Sequence, residues 1–211
     1  MASAIHVVRD GPLASTLVSE PASRPGALLD PRLVYVGPLS GQDGVGALAE
    51  VMGLVVRRYG LAKAQLEVVG DGDARGELVA ALSREGVLDR VTFTGWVVPA
   101  AVPVRIRCAD VCVDPAPTLP LNHHSTMIKI AEYMAAGKPI VAGDLHETRA
   151  TLGDAGVLVP DGSPVDIAAA IAALAADAPR RAELGARALE RARSLTWERS
   201  AEVLLRAYSA L

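Results

Sequence analysis

The chain has 211 residues, of which 51% are hydrophobic and 21% charged, and its formal net charge is −3. A chain of this length fits one large domain with appendages and can bury a core of Ala, Val and Leu. The negative net charge argues against extensive contacts with the phosphates of a nucleic acid. The 3% aromatic content argues against a surface on which the bases of a single strand stack. We therefore expect no nucleic acid partner, and any anion site must be local.

The sequence carries no evident targeting or membrane signal. Residues 1–4 lack the charged and apolar regions of a signal peptide, and the longest apolar stretch, within Ile167–Ala176, is far shorter than the about 20 residues of a membrane span. The two cysteines, Cys108 and Cys112, have apolar neighbours, which suggests buried structural thiols. These features predict a soluble protein without a membrane span, and they are compatible with a reducing cytoplasm.

Residues 1–31 differ in composition from the rest of the chain. They hold one short apolar run at residues 4–8, then Asp10-Gly11-Pro12 and a Ser/Pro-rich stretch that ends at Gly26. This composition is typical of a linker or arm more than of a core. We expect residues 32–211 to form the folded domain.

From Leu33 onward, short apolar runs alternate with longer segments of helical periodicity. Strands are predicted at residues 33–37, 66–70, 91–95, 110–114, 139–142 and 156–159. Helices are predicted at residues 45–59, 75–85, 102–108 and 126–136, with two or three more between Pro164 and Leu211. The alternation predicts an α/β fold, a Rossmann-like parallel sheet with helices on both faces. Ligands of such folds bind beyond the carboxyl ends of the strands, so the loops there are the candidate sites.

The loop after the first predicted strand, residues 37–46, is rich in glycine. Gly37 and Gly44 allow positive φ and close approach of the backbone to a phosphate, and the helix that follows offers free N–H groups. The pattern G-x-G-x-x-G is absent, so the loop lacks the dinucleotide fingerprint. A ligand contact and an ordinary turn both remain open.

Two further loops follow the next strands. Gly70-Asp71-Gly72-Asp73 either approaches a ligand or caps the next helix through an aspartate. Thr94-Gly95-Trp96-Val97 either borders a nucleobase or forms a turn in which Trp96 covers an apolar edge. The sequence alone leaves both pairs of interpretations open.

The strongest signal is the segment from Pro117 to Pro139. Ser125 is a candidate helix N-cap and Gly137 a candidate helix stop. The helix between them is mostly apolar and should be largely buried. Lys129 and Glu132 fall on one stripe near its amino end.

The position of Lys129 points to an anion. A lysine in the first turn opposes the helix dipole at a cost of about 0.3–1 kcal/mol, and a bound anion would reverse that cost. A local Lys129–Glu132 ion pair is the alternative and needs no ligand. We favour the ligand, because such pairs are common on exposed helices and not on one this apolar. The adjacent residues His123 and His124 lack metal-ligand spacing, so no metal site is expected.

Residues 132–142, with the sequence E-Y-M-A-A-G-K-P-I-V-A, resemble the E-A-M-A-x-G-x-P-V-V-A block of the family 4 glycosyltransferases of GT-B fold. Supporting matches are a G-x-G turn at residues 70–72, a V-x-F-x-G strand at 91–95 and a G-x-L-V strand at 156–159. Residues 8–12 are similar to the segment that joins the two domains of the family. From about Leu33 to its end, the chain resembles a single GT-B carboxyl-terminal domain.

The resemblance implies transfer of a sugar from a nucleoside diphosphate sugar to an acceptor, with retention of anomeric configuration and no metal or other cofactor. It implies that the Glu132 carboxylate binds the ribose hydroxyls and that backbone N–H groups at the helix tip hold the pyrophosphate. It identifies no catalytic residue. The implied donor-binding residues are Gly37, Gly44, Gly70, Gly95, Trp96, Ser125, Thr126, Met127, Lys129 and Glu132.

Two motifs depart from the family pattern, at three positions. The glutamate that usually stands eight residues before the ribose glutamate, against the donor sugar, is His124 here. The basic residues of the first-loop pattern G-R-x-x-x-x-K-G are replaced by Pro38 and Asp43. We expect Lys129 to supply the missing charge to the diphosphate.

GT-B enzymes place the active site between two Rossmann-like domains, and the first of these binds the acceptor. No second βαβ series precedes Leu33. We therefore expect this chain to bind the donor with weak or absent transfer, and the acceptor domain to be a missing amino-terminal domain or a separate subunit. The alternatives are a non-catalytic nucleotide-sugar-binding partner subunit, a sugar-nucleotide epimerase and a generic Rossmann-like regulatory domain.

Overall fold

A computed structural model of the chain describes residues 7–209. The predicted apolar run at residues 4–8 and the amino-terminal residues 1–4 therefore lie largely or wholly outside the described part. The described strands form one sheet in the order β3-β2-β1-β4-β5-β6, and every pairing is parallel. The strands are β1 Arg32–Val36, β2 Gln65–Val69, β3 Val91–Gly95, β4 Val111–Asp114, β5 Ile140–Gly143 and β6 Val157–Val159.

Helices pack on both faces of this sheet, as the sequence pattern predicts. The α-helices are α1 Ala47–Arg57, α2 Arg75–Arg84, α3 Val102–Cys108, α4 Ile128–Ala135, α5 His146–Leu152, α6 Pro164–Ala176, α7 Ala178–Ser194 and α8 Trp197–Ser209. No helix within residues 7–209 is long and apolar enough to cross a membrane.

Strand β1 shows why the sheet has two cores. Successive side chains of a strand point to opposite faces. Leu33 and Tyr35 join a core with residues of α1, α2 and α6, whereas Val34 and Val36 join a core with residues of α3, α4 and α7. A strand covered on both faces must be apolar throughout, which is why continuous apolar runs located the strands.

The topological switch point lies between β1 and β4. These strands are neighbours, with Leu33 opposite Val111 and Val34 opposite Cys112. The chain runs outward from β1 to β3 on one side and from β4 to β6 on the other. The crevice at the carboxyl ends of β1 and β4 is therefore where a ligand of this fold class binds.

Each predicted strand is confirmed with ends shifted by no more than two residues, but one helix was missed. Helix α5 has the sequence H-E-T-R-A-T-L, and its buried residues are Thr148, Thr151 and Leu152. Since two of these three are polar, the segment shows no apolar periodicity.

The two cysteines differ from each other. Cys112 is buried in β4, as predicted, but Cys108 is exposed, so the expectation of two buried thiols was wrong. Cys108 ends α3, a helix in which Ile106 is the buried residue. Its helical position turns it away from the core.

The described part of the amino-terminal arm, residues 7–31, packs along the domain. The N–H of Val18 donates to Ala135 and that of Leu28 to Ala175, and Leu28 is buried although the composition suggested no core residue. The buried guanidinium of Arg181 donates to carbonyls of the arm, including that of Arg24 at 2.8 Å. These contacts hold the arm against α4, α6 and α7.

Candidate functional site

Helix α4 begins at the switch point with an uncapped amino end. Its N-cap is Met127, and no side chain among residues 7–209 accepts a hydrogen bond from the first turn. The first-turn N–H groups are therefore without a side-chain partner, which is the condition for an anion site.

Ser125 is not the N-cap, so that prediction was wrong. A short 3-10 helix, Asn122–His124, precedes it, and the Ser125 hydroxyl donates to the carbonyl of Leu121 at 2.9 Å. This extra turn delays the start of α4 to Ile128. The hydroxyl of Thr126 faces another direction and donates to Glu147 at 3.4 Å.

Asn122 ties this segment to the first loop, a role that the sequence did not reveal. Its buried side-chain amide donates to the carbonyls of Gln42 and Pro117, each at 2.9 Å. The loops that follow β1 and β4 are thereby held together at the crevice.

Lys129 is buried and forms ion pairs with two acids. Its Nζ lies 2.7 Å from Asp43 Oδ1 and 3.4 Å from Asp114 Oδ1, and it donates to the Tyr35 hydroxyl at 3.4 Å. The side chain is 6% exposed. The alternative of a local Lys129–Glu132 ion pair was therefore wrong.

Burial and the neighbouring charges act in opposite directions on the pKa values of Lys129 and Asp114. Burial lowers the pKa of Lys129, but the negative charges of Asp114 and Asp43 and the hydrogen bond to Asp43 outweigh this effect and raise it overall. Lys129 is therefore a cation at neutral pH. Burial raises the pKa of Asp114 above its ordinary value, and the charge of Lys129 opposes the shift.

Glu132 faces different surroundings. It lines a cavity of about 230 Å³ between the arm, α3 and α4. Within residues 7–209, the side chain of Glu132 forms neither a hydrogen bond nor an ion pair, and burial raises its pKa with Lys129 opposing. A half-buried carboxylate that has no partner among the described residues is free to accept hydrogen bonds from a group in the cavity. The residues lining the cavity are Gly11, Pro12, Leu13, Thr16, Pro99, Pro103, Ile106, Ile128, Glu132, Ala135 and Ala136.

The glycines of the first two loops are required by loop packing. A Cβ on Gly70 would lie 2.1 Å from the carbonyl oxygen of Gly37, and one on Gly44 would lie 2.3 Å from that of Pro115. A Cβ on Gly37 would lie 3.3 Å from Lys129 Nζ. Gly37 thus borders the cation, whereas packing alone explains Gly44 and Gly70.

The loop after β3 leaves Trp96 72% exposed, so the alternative that Trp96 covers an apolar edge was wrong. Gly95 has a φ of +65°, and its carbonyl accepts from the N–H of Gly70 at 3.1 Å. The alternative that an aspartate caps α2 was also wrong, because the N-cap is Ala74 and no side chain of the described residues caps the helix. Asp71 instead forms an ion pair with Arg75 at 3.2 Å.

His124 is exposed near two other histidines. The ring centroid of His146 lies 4.4 Å from that of His123 and 6.5 Å from that of His124. The His146 N–H donates to His123 Nδ1 at 3.3 Å, which fixes the loop before α4 against α5. No group of three His, Cys, Asp or Glu in the described part of the chain is arranged to hold a metal ion.

The structure thus brings some predicted residues together and separates others. Gly37, Lys129 and the tip of α4 meet at the crevice between β1 and β4. Glu132 lies one turn farther along α4 in the adjoining cavity, whereas Gly44 lines a separate cavity of about 380 Å³ beside α2 and α6.

This sheet, with its switch point and the uncapped helix beside it, defines a Rossmann-like α/β domain. Comparison with known proteins then gives the family. The family of glycosyl transferases group 1 matches residues 30–177, and the chain belongs to it.

Two solved structures of GT-B fold illustrate the likeness. Sucrose-phosphate synthase from Thermosynechococcus elongatus superposes with a TM-score of 0.77 at 24% identity, over 96% of this chain and 51% of that one. Anabaena Alr3699/HepE, solved in complex with UDP and glucose, superposes with a TM-score of 0.72 at 21% identity, over 86% of this chain and 49% of that one. At these identities the likeness shows the fold.

Among sequence relatives, the alpha-D-kanosaminyltransferase of Streptomyces kanamyceticus is 30% identical over 149 residues, which cover 70% of this chain and 37% of the relative. The chain thus spans 37% of the length of this relative and 51% or 49% of the two structures.

Proposed function

We propose that this chain is the donor-binding half of a retaining glycosyltransferase and binds a nucleoside diphosphate sugar. The acceptor is bound by an amino-terminal domain or a separate subunit, and the enzyme works in the cytoplasm without a bound metal. Membership of the glycosyl transferases group 1 supports sugar transfer. The likeness to a protein solved with UDP and glucose supports a donor of the nucleoside diphosphate class.

The observation that carries the proposal is the arrangement along α4. Its amino end lies at the switch point, and the Glu132 carboxylate follows one turn later; neither the helix end nor the carboxylate has a side-chain partner in the described part of the chain. Four residues of helix separate Ile128 from Glu132, a rise of about 6 Å. A nucleoside diphosphate presents its anionic diphosphate and its ribose diol at opposite ends of a segment of similar length.

Each proposed role follows from the chemistry of the group. The N–H groups of residues 127–129 donate to phosphate oxygens, and the dipole of α4 favours their negative charge. The Glu132 carboxylate accepts two hydrogen bonds from the vicinal ribose hydroxyls. The exposed Trp96 and the backbone at Gly95 border the base. Ser125 and Thr126 shape the approach to the helix tip, and Lys129 supplies positive charge beside Gly37.

The proposal separates donor binding from transfer. Cleavage of the sugar–phosphate bond with retention requires an acceptor held against the donor, and this chain spans about half of the GT-B structures that it resembles. Donor binding without appreciable transfer is therefore expected. An acceptor domain added in trans should restore transfer.

Calorimetric titration with UDP, GDP, ADP, UDP-glucose, GDP-mannose and ADP-glucose tests the proposal. The chain should bind at least one nucleoside diphosphate saturably, and Glu132→Gln should weaken it about 10–100-fold because a charged hydrogen bond is lost. Glu50→Gln, which removes an exposed carboxylate on α1, is the matched control and should not change the affinity.

Each other outcome identifies a different function. Binding of none of these ligands would leave a regulatory Rossmann-like domain, and conversion of a donor in the absence of acceptor would indicate an epimerase. Robust transfer by this chain alone would show that it is not half of an enzyme.

A further inference from the structure

Two carboxylates share the single ammonium group of Lys129. Asp43 Oδ1 lies 2.7 Å from Nζ and Asp114 Oδ1 lies 3.4 Å from it. Asp114 is fully buried, and its Oδ2 has no hydrogen-bond partner within the described residues. When both acids are ionised the cluster holds one uncompensated negative charge, and such an excess is costly in a buried place.

The two acids differ in how strongly the fold constrains their positions. Asp114 is the last residue of β4 and pairs in register with Ala142 of β5. Asp43 lies in the loop between β1 and α1, next to Gly44, and its carboxylate accepts a hydrogen bond from the Ser40 hydroxyl at 2.6 Å. Asp114 is therefore the fixed partner of Lys129, whereas Asp43 lies on a loop, is 15% exposed and is the partner whose side chain can turn away.

The shared ammonium lies where the proposed diphosphate would be held. Lys129 belongs to the first turn of α4, and a Cβ on Gly37 would lie 3.3 Å from its Nζ. The Asp43 oxygen at 2.7 Å makes the same contact that a phosphate oxygen makes with a lysine. If a diphosphate contacted Lys129 while Asp43 remained paired with it, three anionic groups would surround one cation, and they would repel one another.

We infer that Asp43 is an internal competitor for the diphosphate, displaced from Lys129 when the donor binds, while Asp114 keeps the lysine in place. The inference rests on the proposed function and adds a means of regulation to the same site. The apparent affinity for the donor is reduced in proportion to the fraction of molecules in which Asp43 occupies the lysine. The Asp43 side chain changes conformation between the free and bound states, while Asn122 keeps the backbone of the loop in place at Gln42.

The test compares the affinities of the unmodified chain and Asp43→Asn for UDP and GDP by calorimetry. Asparagine keeps the size of the side chain and can still hydrogen-bond to Ser40, but it removes the competing charge. The variant should bind the preferred nucleotide about tenfold more tightly. Asp89→Asn, which removes an exposed carboxylate paired with Arg90 at the amino end of β3, is the matched control and should stay within about twofold.

Ser40→Ala provides a second variant that retains every charge and only loosens Asp43. It should bind about two- to fivefold more tightly, since the Ser40 hydroxyl no longer donates to the Asp43 carboxylate or accepts from the Asp43 N–H. If circular dichroism shows that Asp43→Asn does not fold, the nucleotide affinity of Ser40→Ala tests whether Asp43 competes with the diphosphate.

The outcomes separate this inference from the proposed function. A folded Asp43→Asn or Ser40→Ala protein with unchanged or weaker affinity overturns the inference and leaves donor binding intact. Binding of neither nucleotide by any of the proteins overturns both, whereas binding by Asp43→Asn alone supports both.

Discussion

The ammonium of Lys129 lies 2.7 Å from the carboxylate of Asp43, and this contact joins the first turn of α4 to the loop after β1. Asp43 stands where the family pattern has a basic residue, and the structure pairs it with a cation from another element. An ion pair therefore links the loop and the helix that border the crevice, and we call Lys129, Asp43 and Asp114 together the Lys129 unit.

Replacement of Lys129 tests how much this unit contributes to stability. Lys129→Ala leaves Asp43 and Asp114 without their cation, and breaking a buried pair in this way should lower the free energy of unfolding by about 3–5 kcal/mol. Urea denaturation gives the value. Lys63→Ala, an exposed lysine, should change it by less than about 0.5 kcal/mol.

The same variant tests whether Lys129 serves the ligand. Under conditions in which Lys129→Ala is folded, its affinity for a nucleoside diphosphate should fall at least about tenfold, because a lysine–phosphate contact is lost. Equal affinity would remove Lys129 from the donor site and leave it a structural residue.

Two glycines with positive φ should respond differently to alanine. Gly70→Ala would place a Cβ 2.1 Å from the Gly37 carbonyl oxygen, so it should cost about 3 kcal/mol or more. Gly95→Ala meets only Asp71 Oδ2 at 3.7 Å, so it should cost the about 1–2 kcal/mol of a left-handed residue. Thermal unfolding followed by circular dichroism measures both, and a Gly70→Ala protein as stable as Gly95→Ala would contradict the described loop packing.

The stability effect of Glu132 should depend on pH. Burial raises the pKa of Glu132 in the folded chain, so the charged carboxylate destabilises the fold and the protonated one does not. The contribution of Glu132 to the free energy of unfolding is favourable at acidic pH, where the side chain is protonated. This contribution is lost as pH rises through the raised pKa of Glu132. Glu132→Gln should therefore melt at a higher temperature than the unmodified protein at pH 7, and the difference should shrink as pH falls through that range.

A melting difference for Glu132→Gln that is constant between pH 4 and pH 7 would show that the carboxylate does not titrate differently in the fold. Glu50→Gln supplies the reference for an exposed glutamate.

Trp96 offers an optical test of the base site. With its side chain 72% exposed, Trp96→Ala should change the free energy of unfolding by less than about 0.5 kcal/mol. If a base packs on the ring, the variant should lose about 1–3 kcal/mol of binding free energy. Titration of Trp197→Phe, which leaves Trp96 as the only tryptophan, should show a fluorescence change on binding. An unchanged signal at saturation would place the base elsewhere.

The sequence predicted the fold well because parallel strands covered on both faces must be apolar throughout. It missed α5, where the buried positions are filled mainly by threonine. It also placed the start of α4 two residues early, because Asn122, His123 and His124 form a 3-10 turn that local propensity does not distinguish from a helix start.

The site was predicted only in part, because its contacts join residues far apart in the chain. Lys129 and Asp43 are 86 residues apart and meet because β1 and β4 are neighbours in the sheet. Strand order is not encoded in apolar periodicity, so the partners of Lys129 could not be identified from the sequence. The steric needs of Gly44 and Gly70 likewise depend on how loops meet.

The most direct test is a crystal structure of the chain with its preferred nucleoside diphosphate bound. Phosphate oxygens should lie about 3 Å from the backbone nitrogens at the tip of α4, and the ribose hydroxyls should lie within hydrogen-bond distance of Glu132. A nucleotide bound elsewhere, or one whose ribose does not touch Glu132, would contradict the proposed donor site.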